Sequence, residues 1–242
     1  MLGRISPGNN PLFLRYTGMK SYQQEISNAH GEAVIVNRFR YIEGEPKQYR
    51  YNSQAGQFNI DGDTTVLDKN GKPVKDFSFQ PFVFRVFEDG LFNRNREPWA
   101  ELFFIDSLNC VSSIMFNGTT LTELRGIFKK LLYEGTEAKT LCDVVLTVRP
   151  EKLTSKNDPT KSWYIGRFSY ELASVETVRQ LAEFAADCPI YRRDTLKQTA
   201  SYLSFSDTFV LPIVETLELT AGNTETESSS VEYQSAVADE VA

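Results

Sequence analysis

The alternation of apolar and polar residues is clearest in the middle of the chain, between residues 82 and 172. Five runs there have the two-residue period of a β-strand, and they cover residues 82–88, 99–106, 110–116, 141–149 and 162–172. Between the third and fourth runs, apolar residues recur at helical spacing, at Leu121, Leu124, Ile127, Phe128, Leu131 and Leu132. A capping box, Thr120-x-x-Glu123, opens this helix, and Gly135 ends it. The pattern therefore predicts the order β-β-β-α-β-β.

The segments on either side carry weaker patterns. Residues 1–32 are rich in Gly, Asn, Ser and Gln, which predicts an irregular N-terminal arm. Two strand-like runs, 33–42 and 48–54, are separated by a turn that contains Gly and Pro, and they predict a β-hairpin. Beyond the central region, a second amphipathic helix is predicted between Ser174 and Pro189.

Five strands with a helix between the third and the fourth is the element order of an OB-fold, a small barrel. We therefore expect a β-rich α+β chain with an OB-like five-stranded barrel at about residues 82–172. The hairpin would be an N-terminal β-hairpin extension, and the second helix would lie C-terminal to the barrel. All of these elements would belong to one β-rich domain, residues 33–219. The same elements also fit a generic α+β sheet with different connections, and element order alone does not separate the two.

Composition favours β-structure and shows an uneven distribution of charge. The 242 residues include 17 Phe and 11 Tyr, and aromatic side chains favour the half-buried surface of a sheet. Residues 220–242 contain five acidic residues and no Lys or Arg, and their Ser/Thr/Glu-rich composition predicts a disordered acidic tail. Removing these five from the 32 acidic residues leaves 27, against 26 basic ones. The body of the chain therefore lacks an overall basic field, so any nucleic-acid site must be a local patch.

Motifs that carry catalytic or metal chemistry are missing from the sequence. It has no glycine-rich phosphate loop, no Gly-x-Ser-x-Gly and no Cys-x-x-Cys. His30, the only histidine, lies in a turn-like stretch, and the three cysteines suit buried, reduced thiols. We therefore expect no enzyme activity, no metal and no cofactor. The carboxylates of Asp61 and Asp63 leave a metal-dependent nuclease open as a minor alternative.

The sequence also bears on location in the cell. No apolar run approaches the roughly 20 residues that cross a bilayer. The segment Met1–Pro11 lacks the apolar stretch of a signal peptide. We therefore expect a cytoplasmic protein without membrane contact.

Two loops of the predicted barrel combine basic and aromatic residues. In an OB-fold the ligand lies between the loop joining strands one and two and the loop joining strands four and five, which here are residues 89–98 and 150–161. The basic residues that would hold phosphates are Arg94, Arg96, Arg149, Lys152, Lys156 and Lys161. The aromatic residues that would stack on bases are Phe92, Trp99 and Trp163. Surface loops are often basic without binding a ligand, and that interpretation stays open.

The predicted hairpin has aromatic and basic residues at alternating positions. The odd-numbered positions include the aromatic residues Phe39, Tyr41, Tyr49 and Tyr51. The even-numbered positions include the basic residues Arg38, Arg40 and Arg50. Because neighbouring residues of a strand point to opposite faces, the two sets cannot share one binding surface. We expect the aromatic side chains in the core and the arginines in solvent.

An OB-type core followed by an acidic tail resembles the single-stranded DNA-binding proteins of bacteria and their phages. The resemblance covers architecture from about Phe82 to Ala242 and includes no sequence motif. It implies a non-catalytic protein of DNA replication that binds single-stranded DNA, or RNA, with little sequence preference. It also implies that the acidic tail recruits a protein partner.

The tail departs from that family, and two alternatives follow. It ends Asp239-Glu240-Val241-Ala242, without a terminal acidic cluster closed by an apolar or aromatic residue. A tail that serves solubility alone is therefore one alternative. The other is a structural or assembly protein of a phage or mobile element that forms a homo-oligomer through exposed strands.

Overall fold

The computed structural model of the protein describes residues 18–211. The predictions for the first part of the N-terminal arm and for the acidic tail fall on residues outside this range. The described chain is β-rich with two α-helices, in the order β1 (Gln23–Ser27), β2 (Ala33–Asn37), β3 (Lys47–Asn52), β4 (Gln57–Ile60), β5 (Thr64–Thr65), β6 (Phe77–Phe79), β7 (Pro81–Asp89), β8 (Glu97–Ile105), β9 (Val111–Asn117), α1 (Gly118–Tyr133), β10 (Val144–Thr154), β11 (Ser162–Leu172), α2 (Val175–Asp187) and β12 (Ser201–Phe205).

The strands form three sheets. The largest has seven strands in the order β12-β7-β8-β9-β3-β4-β5. Neighbours in it run antiparallel, except for β3 and β9, which run parallel. A smaller sheet has the order β11-β10-β6, and β1 and β2 form a separate hairpin.

The main hydrophobic core lies between one face of the large sheet, helix α1 and the small sheet. Alternate residues of β7, β8 and β9 point into it, as the two-residue period requires. The helix contributes one apolar stripe. Members of this core are Phe84, Val86, Leu102, Phe104, Ile114 and Phe116 from the large sheet, Leu121, Leu124, Ile127 and Leu131 from α1, and Phe79, Leu146 and Val148 from the small sheet.

Intervening positions of the same three strands feed a second core. Val83, Phe103 and Val111 pack there against Leu181 and Phe184 of helix α2. Side chains on both faces of these strands are therefore buried. This explains the almost continuous apolar runs in their sequences, which are usual in strands that are covered on both faces. Neither face of these three strands is therefore open to a ligand.

The predicted order β-β-β-α-β-β is confirmed, but the five strands do not close into a barrel. β7, β8 and β9 lie in the large sheet, whereas β10 and β11 lie in the small one, and residues 18–211 contain no closed barrel. The reason is that other strands occupy the edges that closure would need. β12 and β3 flank the β7–β9 group, and β6 flanks β10.

The predicted pairing of residues 33–42 with 48–54 is wrong. β2 pairs instead with β1, which lies within the segment expected to be an irregular arm. β3 pairs with β4 and, in parallel, with β9. The expected orientation of the side chains nevertheless holds at five positions. Phe39 and Tyr49 are buried, and all three arginines, Arg38, Arg40 and Arg50, are exposed.

Both predicted helices are present, although α1 begins earlier than the capping box suggests. Its N-cap residue is Asn117. The Thr120 hydroxyl oxygen instead accepts a hydrogen bond from the Gly166 backbone N–H, at 3.1 Å. Glu123 pairs with Arg167 of β11, at 2.8 Å. The Ser174 cap of α2 is as predicted, with its side-chain oxygen accepting from the Thr177 N–H at 3.1 Å.

No helix within residues 18–211 has both the length and the apolar character needed to cross a membrane.

A buried ion pair joins the large sheet to the segment that follows α2. Arg85 of β7 and Glu101 of β8 are fully buried, with 2.6 Å between Nη2 and Oε2. The Arg85 guanidinium also donates to the Thr195 hydroxyl at 2.6 Å. A buried charge needs such partners, since one left unpaired costs several kcal/mol. This network therefore fixes residues 193–195 against the sheet.

Candidate nucleic-acid interface

Two segments that the sequence singles out meet at one pocket beside the amino end of α1. Arg94, from the β7–β8 loop, and Trp163, at the start of β11, both line this pocket, whose volume is about 280 Å³. We call it the α1 pocket. Its other lining residues are Tyr51, Ser53, Glu97, Met115, Phe116, Asn117, Gly118, Thr119, Thr120 and Tyr164. The pocket thus combines a cation, a helix terminus and three aromatic side chains that contain a hydroxyl or an indole.

Arg94 lines the pocket, and its guanidinium makes few contacts within the protein. Its single described ion pair is with Glu97, at 3.2 Å, and its side chain is largely exposed. The guanidinium also lies 5.8 Å from the Trp99 ring. Exposed pairs of this kind contribute little free energy. A phosphate could therefore compete with Glu97 for Arg94 at small cost.

The amino end of α1 lines the same pocket, and no side chain of the helix itself caps it. The Asn117 side chain makes no capping hydrogen bond, and the first helical turn contains no acidic residue. The Asn117 amide instead donates to Glu97 Oε1, at 3.1 Å. Helix amino ends attract anions because their first N–H groups have no partner within the helix. In the α1 pocket this effect adds to the charge of Arg94. Both groups already contact Glu97 Oε1, so a phosphate that binds there displaces this carboxylate.

The tip of the β7–β8 loop presents an aromatic ring between cations. Phe92 and Asn93 both have left-handed backbone conformations, with φ of 54° and 60°. Such conformations cost energy in residues other than glycine, so the surrounding structure must enforce them. Phe92 is 49% exposed, and the guanidinium carbons of Arg50 and Arg192 each lie 5.8 Å from its ring centre. Arg192 is buried and Asp194 compensates its charge, so Arg50 is the exposed cation of the two.

Two tyrosines, Tyr51 and Tyr164, also line the pocket. The hydroxyl oxygen of Tyr51 is shielded from solvent and has no hydrogen-bond partner among the described residues. This burial raises the pKa of Tyr51 above its ordinary value, and the nearby Tyr164 adds to the shift. Tyr164 also lines a neighbouring open depression of about 500 Å³ that contains Lys75, Asp76 and Arg149. The two depressions are therefore adjacent, with Tyr164 between them.

Arg149 lies on β10, in agreement with the predicted strand 141–149. Lys152 also lies on β10 rather than in the predicted loop, because this strand extends to Thr154. Arg149 is exposed, and two of its nitrogens contact the carboxylate oxygens of Asp76, at 2.6 and 2.7 Å. The hydrogen bond with Arg149 holds the pKa of Asp76 below its ordinary value. The charge of Arg149 is therefore already compensated within the protein.

The lysines predicted to bind phosphates are exposed near the connection between β10 and β11, and they are Lys152, Lys156 and Lys161. Lys152 lies opposite Tyr164 in the strand register. Lys156 lies in the loop, and Lys161 is 3.4 Å from Asp158. They extend the positive charge beyond Trp163, which is itself 37% exposed.

Two of the predicted site residues have structural contacts instead. Trp99 is only 6% exposed and packs with Phe87 and Leu91, and its indole N–H donates to the Asp89 carbonyl at 3.3 Å. Arg96 donates to the Thr199 carbonyl at 2.9 Å and to the Ser201 hydroxyl at 2.5 Å. The Trp99 ring is therefore not accessible for stacking with a base. The two hydrogen bonds of Arg96 connect the β7–β8 loop to the start of β12.

No family model, curated protein or solved structure matches this chain. The chemistry of the site therefore rests on the described residues themselves. Sequence patterns did not select Tyr164, Arg192 or the helix terminus at Asn117 for this site. The sequence alone places Glu123 in the first turn of α1, and only the earlier start at Gly118 leaves that turn without an acidic residue.

Proposed function

We propose that the protein binds single-stranded nucleic acid, DNA in the first instance, without turnover and with little sequence preference. The observation that supports this proposal is the convergence of Arg94 and Trp163 on the α1 pocket. A strand would run from Phe92, across the α1 pocket and Trp163, towards the lysines of the β10–β11 hairpin. The proposal does not require a closed barrel.

Each part of this surface suits one part of a nucleotide. A phosphate that displaces the Glu97 carboxylate fits between Arg94 and the amino end of α1, since both contacts attract anions. Bases can stack on the exposed rings of Phe92 and Trp163, and such stacking contributes about 1–3 kcal/mol per base. Stacking needs unpaired bases, so single strands are favoured over duplex.

Fluorescence offers a direct test, since the protein has two tryptophans and Trp99 is buried. Titration with oligo-dT at low salt should quench the emission of Trp163 and raise the anisotropy of a labelled strand. Trp163→Phe should abolish the quenching and leave the Trp99 emission unchanged. Arg94→Ala should weaken binding about tenfold, the effect of losing one charge-assisted hydrogen bond.

Arg179→Ala is the matched control, because Arg179 is an exposed arginine on α2 whose partner is Glu176. It should bind oligo-dT as the unmodified protein does. If micromolar protein at low salt produces neither quenching nor an anisotropy change, the proposed function is wrong. Equal losses for Arg94→Ala and Arg179→Ala would place binding elsewhere.

The β1–β2 hairpin supports a second candidate function, assembly into a homo-oligomer. Ile26 and Val34 lie opposite each other in its register, and both are exposed, as is Ile35. A two-stranded ribbon with exposed apolar residues is a common means of contact between subunits. Light scattering should then show a mass that rises with protein concentration without nucleic acid, and Val34→Asp should prevent the rise. A monomer at all concentrations would exclude this candidate.

The nuclease alternative gains no support. Asp61 and Asp63 lie in the turn between β4 and β5. No group of three His, Cys, Asp or Glu side chains within residues 18–211 is arranged to hold a metal ion. We therefore do not propose it.

A further inference from the structure

Helix α1 has an exposed basic side that lies away from the main core. Its apolar residues pack into that core on one side of the helix. The other side carries Arg125, Lys129 and Lys130, all exposed. The helix contains one acidic residue, Glu123, whose carboxylate already pairs with Arg167. We call this exposed basic side the α1 face, and its net charge is positive.

The charges of the α1 face are not compensated by neighbouring carboxylates. None of its three basic residues forms an ion pair within residues 18–211, whereas the exposed Arg149 and Arg179 each do. Arg125 and Lys129 are four residues apart, so they are neighbours on the helix surface. Like charges at this spacing repel each other and slightly destabilise a helix. A bound polyanion would remove that repulsion.

The α1 face begins at the α1 pocket and ends at an exposed ring. Gly118 and Thr119, in the first turn of the helix, line the pocket. At 1.5 Å per residue, Lys130 lies about 18 Å further along the helix axis than Gly118. A stacked strand, at about 3.4 Å per nucleotide, would cover this distance with about five nucleotides. Tyr133 follows at the end of the helix and is 75% exposed.

We propose that the α1 face is a second contact surface for single-stranded nucleic acid, occupied when the strand is longer than the path through Trp163. The inference rests on the proposed function, because the face adjoins the same pocket. Its cations suit the phosphates of a strand, and the Tyr133 ring suits an unpaired base. A single strand presents both groups.

The double variant Arg125→Ala/Lys129→Ala tests the proposal, and it should fold because alanine has the highest helix propensity. The long probe is oligo-dT of about 20 nucleotides, which exceeds the roughly 4–16 nucleotides of common single-strand sites. For this probe the slope of log affinity against log salt should become less steep by about 1.4, since two phosphate contacts are lost. A short probe of about five nucleotides, followed by the quenching of Trp163, should bind with an unchanged slope. An unchanged slope for the long probe would overturn the proposal.

Arg38→Ala/Arg179→Ala is the matched control, because it removes the same charge from two exposed arginines. Arg179 lies on α2, and Arg38 adjoins Phe39, which packs in the second core with α2, on the other face of the large sheet from α1. This control should leave both slopes unchanged. Equal changes in the two double variants would overturn the proposal, because net charge alone would then explain them.

The same titrations distinguish this inference from the proposed function. Binding of the long probe that depends on Arg125 and Lys129, with no quenching of Trp163 by either probe, would support the α1 face and contradict the path through Trp163. Quenching by both probes with no effect of the double variant would support that path and overturn the α1 face. The absence of binding by either probe would overturn both.

Discussion

Asp106 is a nearly buried carboxylate whose contacts make stability depend on pH. It accepts from the Lys47 ammonium at 2.7 Å and from the backbone N–H groups of Leu108 and Cys110, each at 2.9 Å. Burial alone would raise the pKa of Asp106, but these three donors outweigh it, so the pKa lies below its ordinary value. The folded state therefore favours the ionised form. Its contribution is complete above the unfolded pKa of about 3.9 and is lost as the pH falls through the folded pKa.

We expect Asp106→Asn to lower the free energy of unfolding by about 2 kcal/mol at pH 7, because a hydrogen-bonded charge is lost. The difference from the unmodified protein should shrink as the pH falls below about 4. Urea unfolding at pH 7 and at lower pH measures both quantities. Asp63→Asn, at an exposed position, is the control and should cost almost nothing. A difference that stays constant with pH would contradict the role assigned to the Asp106 charge.

Residue type and local pattern indicate candidates for a site, but not which of them reach solvent. Trp99 and Trp163 lie at comparable places, near the start of a predicted strand, yet one is buried and the other is partly exposed. The difference arises because the tip of the β7–β8 loop folds back over Trp99, where Phe92 lies 5.7 Å from its ring. That contact depends on two left-handed residues, Phe92 and Asn93. Asparagine is one of the residues that adopt this conformation most readily, but Phe92 has no sequence signal for it.

At the scale of elements, the turn between β3 and β4 supports one wall of the α1 pocket. Gly56 has a φ of 65°, and a Cβ atom there would lie 2.5 Å from the Tyr164 ring. The Tyr164 backbone N–H also donates to the Ser53 carbonyl, at 2.7 Å. A side chain at residue 56 must therefore displace the tyrosine.

We expect Gly56→Ala to destabilise the protein by about 2–3 kcal/mol, of which about 1–2 kcal/mol is the cost of the left-handed backbone and the rest is displacement of Tyr164. Oligo-dT binding should weaken as well. Gly71→Ala is a matched control, because Gly71 has a φ of 73° but no atom within 4 Å of the place that its Cβ would take. Unfolding and anisotropy measurements should show the backbone cost alone for Gly71→Ala, with unchanged binding. Equal results for the two would exclude a role for the Gly56–Tyr164 contact.

Elements in the central region could be predicted from sequence because period, caps and turn residues act locally. Their pairing could not, since it depends on strands that are short or distant. β6 has three residues and β12 lies beyond α2, and these two strands occupy edges that a barrel would need. The parallel pairing of β3 with β9 joins segments separated by several other strands. No local pattern records such a contact.

At the scale of the whole molecule, the acidic C-terminal residues should oppose binding of a polyanion. Deletion of residues 221–242 removes all five acidic residues of this segment and no Lys or Arg. The net charge then changes from −6 to −1, which reduces long-range repulsion of nucleic acid. We expect tighter binding to oligo-dT at low salt and an unchanged melting temperature. The hydrophobic clusters of the described chain include no residue beyond Phe209. A large drop in melting temperature would show that the tail belongs to the fold.

The dependence of affinity on salt separates the charged contacts from the stacking contacts. For single strands, the slope of log affinity against log salt is about −0.7 for each phosphate neutralised. Arg94→Ala should therefore make the slope less steep by about 0.7, because one contact is lost. Trp163→Ala should lower the affinity without changing the slope, since stacking releases no ions.

Arg149 gives the sharpest form of this test, because Asp76 already compensates its charge through two contacts. Arg149→Ala should leave the slope nearly unchanged. Asp76→Asn, in contrast, frees a guanidinium beside Tyr164, and a strand lying along the proposed path would then neutralise one more phosphate. We expect Asp76→Asn to steepen the slope by about 0.7 and to tighten binding at low salt. Anisotropy titrations of labelled oligo-dT over a range of salt concentrations measure both changes. If Asp76→Asn leaves the slope unchanged while Arg94→Ala reduces it, the strand passes over the α1 pocket but does not continue to β10.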